Sequence, residues 1–213
     1  MHKNRPRLFL INEVFKDLNE NLTEMKRCLP DINYNNKNMY FLYIFTLFEG
    51  ALWQACKSVL IGFPEKAEIY KIELEKGFIN SENLIDKLID KKLYNIGKSN
   101  TADYFKEIIN LIGIEIDYNK TQLIKIGNLR NSLVHNNSLK TSDIFNKVDL
   151  PEHKEFKVEG FINYSEILIN LLESFKQSIL EKFKEYDLLK LIKDSWDYTI
   201  GASGVGIEKI ISF

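Results

Sequence analysis

The sequence predicts an all-helical bundle of about five or six helices, and three observations support this fold class. Apolar residues recur every three or four positions along several segments, which is the spacing of one face of a helix. Three of the four prolines, Pro30, Pro64 and Pro151, fall between these segments, where they end helices. The chain shows neither an alternating strand–helix pattern nor an internal repeat, which argues against α/β and solenoid architectures.

The first two helices are predicted on either side of Pro30. Residues 8–28 carry apolar residues at helical spacing, and residues 39–61 begin with an uncharged run of ten, MYFLYIFTLF. A membrane-spanning helix needs about 20 predominantly apolar residues. Because Glu49 interrupts this run, the sequence predicts a helix buried on most of its circumference and no membrane span.

Three or four further helices are predicted in the middle of the chain. Residues 66–95 have a weaker pattern, which predicts one or two short helices, including 81–93. Residues 101–111 form the next predicted helix, and Gly113 follows it. Residues 120–135 form a helix whose apolar residues lie three or four positions apart.

The last predicted helix, residues 164–192, is long and amphipathic. Asn163 is its expected N-cap, because Glu166 lies three residues on, as a capping box requires. Residues 141–160, which precede it, are expected to be irregular or to form a short hairpin between the last two helices.

Composition favours one domain over residues 1–193, with residues 194–213 as a glycine-containing, flexible or docking tail. With 45% apolar residues and a net charge of −1, the chain can bury a core, and it lacks the basic excess that broad DNA binding needs. Cys28 and Cys56 have no metal-type spacing and are expected to be reduced core thiols. No signal peptide is predicted, so a cytoplasmic location is expected, without cofactor or metal.

The candidate site consists of Arg130, Asn131 and His135, late in the helix 120–135. Asn131 and His135 are four positions apart and share a face, whereas Arg130 and His135 differ by about 140° around the helix axis. Histidine exchanges protons near neutral pH, arginine binds phosphate with a planar fork, and asparagine can hold an imidazole or bind a ribose hydroxyl. A proton-transfer group beside a phosphate clamp suits metal-independent RNA cleavage.

The pattern Arg130-Asn131-x-x-x-His135 resembles the signature of the HEPN superfamily: an arginine, a polar residue, three to five further residues and a histidine. The apolar lead-in, an upstream aromatic-rich helix with Glu49 and a long helix after the motif are similar too, so the resemblance covers residues 39–192. One departure is Asn137, because a toxin subgroup paired with nucleotidyltransferase antitoxins has a tyrosine at that position.

The resemblance implies a homodimer that brings two motifs into one cleft. Many members are metal-independent endoribonucleases that act as toxins or in antiviral and abortive-infection systems. It therefore implies RNA as the substrate and an antitoxin or defence-system protein as a further partner. Arg130, Asn131 and His135 are the expected catalytic residues, with Glu49 and Asn136 in support.

Two alternatives to the nuclease stay open. The chain could be a catalytically silent HEPN module that binds RNA, a nucleotide or a partner protein, or a helical structural protein with a fortuitous motif. In the second case Arg130 pairs with a carboxylate, and His135 is a helix-end residue favoured by the helix dipole. Glu49 is expected to face Arg130 or Lys57, or to lie at the dimer cleft, and an ion pair is favoured over catalysis. Asn136 could also end the helix in a left-handed conformation.

Overall fold

The computed structural model describes residues 11–63, 66, 84–136 and 157–184. These residues form six α-helices and no strand, which confirms the predicted all-helical class. The helices are α1 Ile11–Cys28, α2 Lys37–Gly62, α3 Leu84–Ile96, α4 Thr101–Ile112, α5 Lys120–Asn136 and α6 Val158–Phe183. The tail 194–213 and most of the segment expected to hold a hairpin lie outside the described residues.

The centre of the bundle is α2, which packs against α1, α3, α4, α5 and α6. Its buried aromatic side chains meet those of neighbouring helices: Phe41 lies edge to face with Phe161 of α6 at 5.5 Å, and Phe48 stacks with Phe105 of α4 at 6.2 Å. Each such fully buried side chain stabilises the fold by roughly 1.5–3 kcal/mol relative to exposure. Helix α1 belongs to the same core, since it packs on both α2 and α6.

Helix α2 spans nearly the predicted range, since it begins two residues before and ends one residue after residues 39–61. It continues past Glu49 to Gly62, so among the described helices it alone has the length and apolarity to cross a membrane by those two measures. Half of its most apolar stretch is buried inside the bundle. As the sequence predicts, most positions of the helix are buried or half-buried, and Met39 and Tyr43 are exposed on one side of it.

Helix α6 begins at Val158, six residues before the predicted start, with Lys157 in the capping position. The expected capping box at Asn163 is therefore wrong, and so is the irregular structure expected over residues 158–160. The physical reason is packing. Phe161 is completely buried against Phe41, and this contact extends the helix by more than one turn beyond the local capping pattern.

The two cysteines are free and buried, as the sequence predicts for core thiols. Cys56 lies in the second half of α2, in the core. Burial raises the pKa of the Cys56 thiol to about 12 and also raises the pKa of the Cys28 thiol. Both thiols are consequently protonated and poorly nucleophilic at neutral pH.

Candidate functional site

Arg130 projects from α5 toward α2, where it contacts two residues, and it makes a third contact within α5. Its Nη2 lies 3.8 Å from Oε2 of Glu49, its Nη1 donates a 3.0 Å hydrogen bond to Oδ1 of Asn131, and the guanidinium carbon lies 5.6 Å from the centre of the Phe45 ring. The side chain is still 37% exposed. A guanidinium has five N–H donors, so this arrangement leaves donors for a ligand.

Glu49 faces Arg130, which is one of the two partners that the sequence predicted for it. Lys57, the other candidate partner, pairs instead with Asp90 at 2.7 Å. Desolvation raises the pKa of the Glu49 carboxyl, and the nearby charge of Arg130 opposes that shift. Ion pairs with this degree of exposure contribute about 0–1 kcal/mol. The pair therefore orients the guanidinium more than it stabilises the bundle.

His135 and Asn136 are the last two residues of α5. Their backbone is helical, which places His135 one turn beyond Asn131 on the same face and about 140° around the axis from Arg130. The side chains of both residues lie outside what the structure describes. The contact that the structure does show for Asn131 is with Arg130, whereas the sequence suggested that Asn131 orients His135.

Arg130 and Asn131 line a cavity of about 300 Å³ between α2, α5 and the turn that joins α3 to α4. Asn128 lies on the same wall, and the turn contributes Lys98 and Ser99 on the other. We call it the arginine cavity. Its polar side chains match what a phosphate and a ribose offer for hydrogen bonding.

The turn before α4 was not singled out from the sequence as part of a site. Its one local signal is Asn100, whose side-chain oxygen accepts hydrogen bonds from the backbone N–H groups of Ala102 and Asp103 and so caps α4. That signal indicates a helix start. A local capping signal does not predict that α5 lies across the cavity from this turn.

A close approach of α5 to α4 brings the two walls together. Gly127 lies in the middle of α5, and a Cβ atom added there would sit 2.3 Å from Oγ1 and 2.9 Å from Cβ of Thr101. Only a residue without a side chain fits at this crossing. Because Gly127 has no side chain, the α5 wall of the arginine cavity can approach the first residue of α4 closely.

Gly127→Ala is expected to destabilise the protein by about 1 kcal/mol or more, because overpacking of this kind costs about 1–3 kcal/mol and exceeds the gain in helix propensity. Gly50→Ala is the matched control, since Gly50 also lies inside a helix but has nothing within 4 Å of an added Cβ. That change should stabilise the protein by about 0.5–1 kcal/mol. Urea unfolding followed by circular dichroism measures both, and equal stabilisation by the two changes would contradict the close contact.

No protein-family model, curated protein or solved structure matches this chain. In the described part of the chain, no group of three or more histidine, cysteine, aspartate or glutamate side chains is arranged to hold a metal ion. The fold and the site together define a helical bundle with a polar cleft, in which an arginine is held by a glutamate and an asparagine.

Proposed function

We propose that this protein is a metal-independent endoribonuclease of the HEPN type, acting in the cytoplasm as a toxin or as an antiviral or abortive-infection effector. One observation carries the proposal: the Arg130 guanidinium lines an open polar cavity, and His135 follows one turn beyond Asn131 on the same helix. A fixed cation beside a group that exchanges protons near neutral pH is the chemistry that RNA cleavage needs.

The proposed reaction is an internal transfer at phosphorus. The ribose 2′-hydroxyl loses a proton and attacks the adjacent phosphate, the bond to the 5′-oxygen breaks, and that oxygen gains a proton. The products carry a 2′,3′-cyclic phosphate and a 5′-hydroxyl. In this scheme His135 moves a proton, and Arg130 stabilises the added negative charge on the phosphorane. The motif contains one amide, Asn131, and two more, Asn128 and Asn136, flank it, which suits binding of ribose and phosphate.

Incubation of the purified protein with mixed RNA in EDTA tests the proposal. We expect cleavage, with cyclic phosphates at the new 3′ ends and hydroxyls at the new 5′ ends. DNA of the same sequence should remain intact, because it lacks the 2′-hydroxyl nucleophile. A requirement for Mg²⁺, or cleavage of DNA, would rule the mechanism out.

A homodimer is part of the proposal. Arg130 and His135 of one helix point about 140° apart, so two copies are better able than one to aim both groups at a single phosphate. Val134, next to His135, is 41% exposed and offers apolar surface at this end of α5. Light scattering at micromolar concentration should give twice the 25.0 kDa chain mass. A monomer that retains full cleavage activity would contradict this prediction.

A second candidate function is a catalytically silent module that binds RNA, a nucleotide or a partner protein. It is favoured by the three internal contacts of Arg130 with Glu49, Asn131 and Phe45, which also suit an arginine that shapes a binding cavity. Binding of RNA without cleavage would favour this candidate. A neighbouring antitoxin or defence gene would instead favour the nuclease and identify its partner protein.

A further inference from the structure

A second cavity, of about 330 Å³, adjoins the arginine cavity. It lies between α2 and α4, and we call it the tryptophan cavity, because Trp53 lines it together with Tyr104 and Thr46. Glu49, Gly97 and Ser99 line both cavities. The two cavities therefore meet at Glu49 and form one cleft, in which Arg130 is on one side and Trp53 on the other.

The tryptophan cavity contains two polar groups, those of Tyr104 and Glu49, that make no hydrogen bond within the part of the chain that the structure describes. Tyr104 is only 5% exposed, and within the described residues its hydroxyl makes no hydrogen bond. Within the same residues no hydrogen bond is donated to the Glu49 carboxylate, whose one charged neighbour is Arg130 at 3.8 Å. Both residues line the cavity, so their polar groups can pair with a ligand that enters it. A ligand with hydrogen-bond donors would satisfy both groups.

The aromatic side of the cavity narrows the class of ligand. Trp53 is partly exposed and lines the cavity, so a planar heterocycle can stack on its ring. The volume lies at the lower end of the range of about 300–1,000 Å³ that small-molecule sites occupy. These features together suit a single nucleobase.

We propose that the tryptophan cavity binds a guanine base, with its nucleotide phosphate directed to Arg130. A carboxylate accepts hydrogen bonds from two adjacent donors, and guanine offers such a pair in N1–H and the N2 amino group. Adenine and cytosine each place a donor beside an acceptor, and uracil has one N–H between two carbonyls. Glu49 therefore selects guanine by the chemistry of its Watson–Crick edge. This inference rests on the proposed function and deepens it, since it names the base next to the bond that is cut.

Intrinsic fluorescence tests the inference without requiring cleavage. The chain has two tryptophans, Trp53 and Trp196, so a Trp196→Phe protein reports on the cavity alone. Titration with 5′-GMP should quench Trp53 saturably. AMP, CMP and UMP should bind at least about tenfold more weakly, because their Watson–Crick edges place at most one donor opposite the Glu49 carboxylate. IMP, which keeps N1–H but lacks the N2 amino group, should also lose about tenfold.

Two variants test the residues themselves. Glu49→Gln should abolish the preference for GMP over AMP, since an amide offers one acceptor and one donor. Tyr104→Phe removes only the hydroxyl and should weaken GMP binding by about threefold or more. Glu107→Gln, on the exposed face of α4, is the matched control and should bind GMP normally. Circular dichroism verifies that each variant is folded.

Equal quenching by all four nucleotides, no quenching by GMP, or an unchanged preference in Glu49→Gln would each overturn the inference. Selective GMP binding by a protein that cuts no RNA would support the guanine site and count against the nuclease. RNA cleavage at sites that share no guanosine would support the nuclease and overturn the guanine site. The two proposals can therefore fail separately.

Discussion

His135→Ala and Arg130→Ala are each expected to reduce RNA cleavage by about 10²–10⁴-fold while leaving the fold intact. The histidine change removes the proton-transfer group, whose contribution is typically of that size. The arginine change removes the cation that opposes the charge on the phosphorane, and loss of such an electrostatic partner costs about 2.7–4 kcal/mol of barrier. Initial rates on a defined RNA, measured in EDTA, provide the comparison with the unchanged protein.

The same experiment has matched controls in this chain. His153→Ala removes a histidine outside the motif, and Arg27→Ala removes an arginine that pairs with Glu24 on α1. Both controls should cleave RNA normally. Arg130→Ala leaves Glu49 without its cation, but this pair is more than a third exposed, so the loss of stability should stay below about 1 kcal/mol. Undiminished cleavage by His135→Ala would refute the mechanism and favour the silent binding module.

Phe105→Ala is expected to lower the free energy of unfolding by about 3–5 kcal/mol, the largest stability effect that we predict for a single residue. Phe105 is completely buried where α4 meets the core. Its ring lies within 5.0–6.4 Å of the rings of Tyr118, Phe48 and Phe175, so truncation removes contacts to three parts of the chain. For a chain of this length that loss corresponds to a fall in Tm of roughly 10 °C.

Thermal unfolding followed by circular dichroism measures this loss. Tyr94→Ala is the control, because Tyr94 is 61% exposed and its truncation should change stability by no more than about 0.5 kcal/mol. A fall of less than about 1 kcal/mol in Phe105→Ala would show that α4 is not anchored in the core at this position. The site would then lose its support, since the first residue of α4 contacts Gly127 beneath the arginine cavity.

Much of the fold was determined locally. The starts of α2, α4 and α5 fall within two residues of those predicted, because each helix carries apolar residues at its own period and α4 ends at a glycine. Gly113 has a φ of +76°, a conformation that glycine adopts without strain. The position of Arg130, Asn131 and His135 on one helix follows from the same local pattern.

Where local and tertiary preferences compete, the sequence pattern misleads. Asn163 and Glu166 have the spacing of a capping box, but the burial of Phe161 against Phe41 stabilises an earlier turn of α6. A cap contributes about 1 kcal/mol, and burial of a phenylalanine contributes more, so packing decides where this helix begins.

The sequence by itself therefore determined an all-helical chain and the three motif residues on one helix. Only the tertiary structure decided that Arg130 meets Glu49, that Gly127 lies against Thr101, and that two cavities join at Glu49. The physical reason is the range of the interactions. Helical periodicity depends on neighbours three or four positions apart, whereas Glu49 and Arg130 are brought together only when α2 and α5 pack in the finished bundle.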